Sequence, residues 1–105
     1  MNDGSMPLDA AIRLRLEQTR GEVLASDLMA HIERDGLFIV GPTESLVECG
    51  VSIAMDDVDR IQSLIESGAL RKPTRAERDH WKATPGARVV AIVVQPFVVI
   101  QLLAD

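Results

Sequence analysis

Two groups of side chains in this sequence could do chemistry. His31 and Asp35 stand four residues apart, with Arg34 between them and Glu48 further along the chain. If the chain is helical through Asp35, His31 and Asp35 share one face. Glu48 folded against them would complete an imidazole–carboxylate site, able to hold a metal ion or move a proton. The same residues also suit a plainer role. A His-x-x-Arg-Asp cluster at a helix end is a charge network, because His and Arg favour the negative end of the helix dipole. Two ligands at that spacing arise easily by chance, so the plainer role carries more weight. His31, Arg34, Asp35 and Glu48 are thus a candidate functional cluster, with no catalytic residue and no metal ligand assigned. The second group is Gln95, Pro96 and Phe97, inside the apolar run over residues 89–103. It is a candidate interface.

Other reactive types lack their context. There is no Gly-x-Ser-x-Gly elbow, no phosphate-cradling glycine loop and no zinc framework. No cofactor is implied. The single cysteine, Cys49, lies in an apolar stretch and reads as a buried hydrophobe. An unpaired thiol fits a reducing compartment. His80, beside Trp81 in a charged segment, reads as surface.

The elements that position these groups follow from periodicity. Leu8, Ile12 and Leu16 recur every four residues, which predicts a helix over 8–20. Leu24, Leu28 and Ile32 predict a second, from about 22 or 26 to 34. Residues 37–40 (Leu-Phe-Ile-Val) form a short buried strand, stopped by Gly41-Pro42. Residues 43–54 fit two patterns. Pro42 and the capping box Ser45-x-x-Glu48 suit a helix. The alternation of Val47, Cys49, Val51 and Ile53 with polar residues or glycine suits a strand. Asp56-Asp57 opens a clearer helix with the core stripe Val58, Ile61, Leu64 and Ile65. Pro73-Thr74 opens a last one through Lys82, with Thr74-x-x-Glu77 as its capping box. The run over 89–103 then reads as strand, either one that bends at Gln95-Pro96 or two that meet there.

At 105 residues with 47% hydrophobic content, the chain has enough material for one core. The expected organisation is a disordered lead over residues 1–7 and a single α+β domain over 8–105. Four or five helices pack on a small β-sheet that includes residues 37–40 and the C-terminal strands. The apolar run is shorter than the ~20 residues of a spanning helix, and no export signal is visible. The chain therefore reads as soluble and cytoplasmic, with no membrane partner.

A wider set of positions resembles a bacterial family called domain-of-unknown-function family 2288. It begins with His31-x-x-Arg34-Asp35 running into 37–40, then Pro42. It continues through Leu46-Val47-Glu48-x-Gly50-Val51-x-Ile53-Ala54-x-Asp56-Asp57, Ile61-Gln62, Ile65, Lys72-Pro73-Thr74 and Trp81. It ends in Ile92-Val93-Val94-Gln95-Pro96-Phe97-Val98-Val99-Ile100-Gln101, the most specific part. The resemblance implies a small, soluble bacterial protein and brings no reaction, cofactor or partner.

Charge bears on partners. The net charge is −5, with −8 on residues 1–70, +4 on 71–88 and the remaining −1 on Asp105. From Leu46 to Leu70 the pattern is helix, short turn, helix, as in small DNA-binding regulators, with the basic segment 71–88 as a wing. A recognition helix that starts Asp56-Asp57-Val58-Asp59 would aim acids at phosphates, which argues against nucleic acid. The resulting expectation is a non-catalytic interaction module that meets a second copy of itself, as a homodimer, or another protein. A nucleic-acid regulator and a metal-dependent or acid–base enzyme at His31, Asp35 and Glu48 are the alternatives.

Overall fold

The structure is a computed structural model that describes residues 6–103. The lead expected over 1–7 lies outside the described residues as far as residue 5. The chain runs α1 (Leu8–Thr19), β1 (Gly21–Leu24), a 3-10 turn (Ala25–Leu28), α2 (Met29–Glu33), β2 (Leu37–Val40), α3 (Leu46–Ala54) and α4 (Val58–Glu66). It ends with β3 (Leu70–Arg71), α5 (Arg75–Ala83), β4 (Arg88–Val94) and β5 (Phe97–Leu102). This is an α+β domain: five helices packed on a five-stranded mixed sheet of order β1-β4-β5-β2-β3. Among the described residues, β2 and β5 are the only strand pair that runs parallel.

The sheet separates two cores, because successive strand residues point to opposite faces. On β4, Ile92 and Val94 join Leu16, Leu46, Val47, Cys49 and Leu64 under α1, α3 and α4. Val89 and Ala91 join Ala25 and Trp81 on the other face, under the 3-10 turn and α5. Gly50 lets α3 approach the sheet closely; a Cβ there would collide with the side-chain ends of Ile92 and Leu16. Gln101 fixes the loop before α3, its amide donating to the carbonyls of Gly41 (2.8 Å) and Glu44 (2.9 Å).

Several expectations change. The helix over 22–34 is instead a strand, a 3-10 turn and a five-residue helix. Pairing of Gly21–Leu24 with β4 overrides the four-residue spacing of Leu24, Leu28 and Ile32. Of the two patterns over 43–54 the helix forms, from Leu46 to Ala54, and Ser45 Oγ caps it by accepting from the Glu48 N–H at 3.2 Å. That box is only half made, since the Glu48 carboxylate turns to Arg13. Residues 89–103 are not one bent strand. They form a hairpin, the second of the two expected arrangements: two strands meet at Gln95-Pro96 with Val94 opposite Phe97, and β5 is paired on both sides. The edges are β1 and the two-residue β3.

Candidate functional site

The proposed His31–Asp35–Glu48 site is not assembled. Helix α2 ends at Glu33, and Asp35 takes a left-handed backbone (φ 62°), which Asp tolerates better than most residues. The Gly36 N–H closes the turn on the His31 carbonyl at 2.8 Å. Asp35 forms an ion pair with Lys72. His31 Nδ1 instead lies 3.3 Å from Arg34 Nη2. Glu48 is on α3, across the sheet, and takes two bonds from Arg13, at 2.5 and 3.0 Å. Those bonds outweigh burial and hold the Glu48 carboxyl below the usual range. Among the described residues, no three His, Cys, Asp or Glu side chains are grouped to hold a metal ion. Cys49 is buried, and burial pushes its thiol pKa up, the direction of an inert thiol.

The two sequence groups do meet in part. The Val98 N–H donates to the Gly36 carbonyl at 2.9 Å, which sets the α2–β2 corner against the β4–β5 turn. His31, Arg34 and Asp35 therefore line one shallow groove of about 400 Å³ with Gln95, Pro96 and Phe97. Gln95 and Pro96 are exposed. Phe97 is half-buried and meets Phe38 edge-on, with ring centroids 5.5 Å apart. Lys72 sits over the Phe38 ring at 5.7 Å. The corner is thus held by its own pairs: Asp35 with Lys72, and Arg34 with His31.

The helix–turn–helix pattern is present as α3 and α4, but its parts are divided. Helix α4 packs through Leu64 into one core, while the basic helix α5 packs through Trp81 into the other, across the sheet. The basic helix α5 therefore does not flank α4 as a wing, and only Arg71 of the segment, on β3, lies on the strand beside α4. The N-terminal end of α4 carries Asp57 as its cap, the side chain accepting from Arg60 N–H at 3.2 Å, with Asp56 and Asp59 beside it.

Helix α4 also shows what periodicity could not. Its four apolar residues read as one core-facing stripe. Only Leu64 is buried, at 5% exposure, and Ile61 is half-buried against the core. Val58 is 60% exposed and Ile65 54%. The sheet explains this. Its edge beside α4 is β3, only two residues long, so little surface extends beneath the helix.

The fold and these positions define a class. The chain belongs to the family described as Protein of unknown function (DUF2288), which matches residues 11–102. It is similar to one solved structure in particular, the NMR solution structure of PA1075 from Pseudomonas Aeruginosa. The two share 27% sequence identity and superpose with a TM-score of 0.75, over 97% of this chain and 95% of that one. No curated protein matches the chain. Among the described residues no helix is long and apolar enough to cross a membrane.

Proposed function

We propose that this chain is a non-catalytic interaction module whose contact surface is α4. The observation that carries the reading is the pair Val58 and Ile65, more than half exposed on a helix whose core contact is already made by Leu64. Burying a Val or Ile side chain contributes about 1.5–3 kcal/mol. A fold that leaves two such residues on one stripe holds that much in reserve for a partner.

Site-specific photo-crosslinking in the producing cell tests this. A crosslinker at position 58 or 65 is expected to give a discrete adduct, while one at exposed Gln18 on α1 gives none. An adduct of twice the chain mass would identify a second copy as the partner. No adduct from either α4 position would contradict the proposal.

A further inference from the structure

The sign of the charge around this stripe says what kind of partner fits it, given the module reading above. We infer that α4 receives a basic amphipathic helix of another protein. From Asp56 to Glu66 the chain carries Asp56, Asp57, Asp59 and Glu66 against Arg60 alone. Arg60 already reaches Glu44, at 3.5 Å, so it does little to offset the acids. All four acids are exposed. Gln62 donates to the Glu66 carboxylate at 3.2 Å, along one flank of the helix.

Val58, Ile61 and Ile65 follow the i, i+3, i+7 spacing by which one helix recognises another. They span eight residues, or about 10 Å of helix. A helix bearing its own apolar stripe would cover that length, and Lys or Arg beside the stripe would meet Asp59 and Glu66.

Other occupants fit less well. Two copies of α4 packed together would face acid to acid in either orientation. The chain's own basic helix, α5, has Trp81 committed to the core at 4% exposure and cannot offer it to a second copy. Phosphates, in nucleic acid or on an anionic membrane, are repelled by the same acids.

The test is a titration of the intact, ¹⁵N-labelled chain with a synthetic amphipathic helical peptide of leucine and lysine. A peptide of the same composition with scrambled periodicity serves as one control, and a leucine–glutamate amphipathic peptide as the other. The leucine–lysine peptide is expected to shift the amides of residues 56–68, and added salt to weaken it. The double variant Val58→Ser/Ile65→Ser is expected to bind it at least about tenfold more weakly. Equal binding of either control, or shifts that avoid α4, overturns the inference. So does a dimer of the chain alone, seen by light scattering, that the double variant abolishes. If the crosslinking adducts form and the leucine–lysine peptide does not bind, the partner chemistry is wrong while the contact surface stands.

Discussion

Helices α4 and α5 are both nine residues long, and both begin on a side chain that caps a backbone N–H. They differ in how much of their apolar surface the fold uses. Helix α5 has one large apolar residue, Trp81, and it is buried; the rest of its surface is charged, polar or alanine. Its start is held firmly. Thr74 and Glu77 form a complete capping box, and Arg71 on β3 gives Glu77 two bonds, at 2.7 and 2.9 Å. Helix α4 carries Val58, Ile61, Leu64 and Ile65, and buries only Leu64. The fold buries the one large apolar residue of α5 and only part of the large apolar surface of α4. Under the proposed function, this surplus, beside a sheet edge of two residues, is the contact surface.

Substitutions can break or sharpen this contrast. Trp81→Ala should have the largest effect, because it removes the one buried side chain of α5. A loss of about 3–5 kcal/mol is expected in urea denaturation. Leu64→Ala should cost about 2–5 kcal/mol, since it removes the one fully used residue of α4.

Glu77→Gln sharpens the comparison through charge. Gln retains the capping geometry, so the change isolates the pairing with Arg71. The bonds from Arg71 outweigh burial, with help from the Thr74 N–H, and lower the Glu77 carboxyl to about 2. A pKa lowered on folding adds stability above the unfolded value and loses it as pH falls through the folded one. The wild type should therefore exceed Glu77→Gln by about 1–2 kcal/mol at neutral pH, a value reduced by the partial exposure of the pair. That margin should close as pH falls from the ordinary 4.5 toward 2. An equal margin at neutral pH and near pH 2 would contradict the role given to this ion pair. The smallest effect belongs to Val58→Ser and Ile65→Ser. Each should change stability by no more than about 0.5 kcal/mol, as Ser, Val and Ile have similar helix propensities and neither site is buried.

Much of this arrangement could be read before folding was considered. Pro73-Thr74 and Glu77 located α5, Asp57 located the start of α4, and the β-branched run over 89–94 located β4, because each signal is local. Three features were not local. Strand β1 exists only because β4, more than sixty residues later, offers its edge to Gly21–Leu24; the spacing of Leu24, Leu28 and Ile32 alone implies a helix. The His31–Asp35 pairing depended on helix through Asp35, and that residue instead has a left-handed backbone and pairs with Lys72. The α4 stripe looked like core because periodicity reports which residues share a face. How far the sheet extends beneath that face depends on β3, whose two residues carry little pattern of their own.

The central claim is that Val58 and Ile65 serve a contact and not the core. It is tested most directly by measuring denaturation and leucine–lysine peptide binding on one preparation of Val58→Ser/Ile65→Ser. An unchanged urea midpoint with binding at least about tenfold weaker is the expected result. A midpoint that falls as far as that of Leu64→Ala, with peptide binding intact, would contradict it.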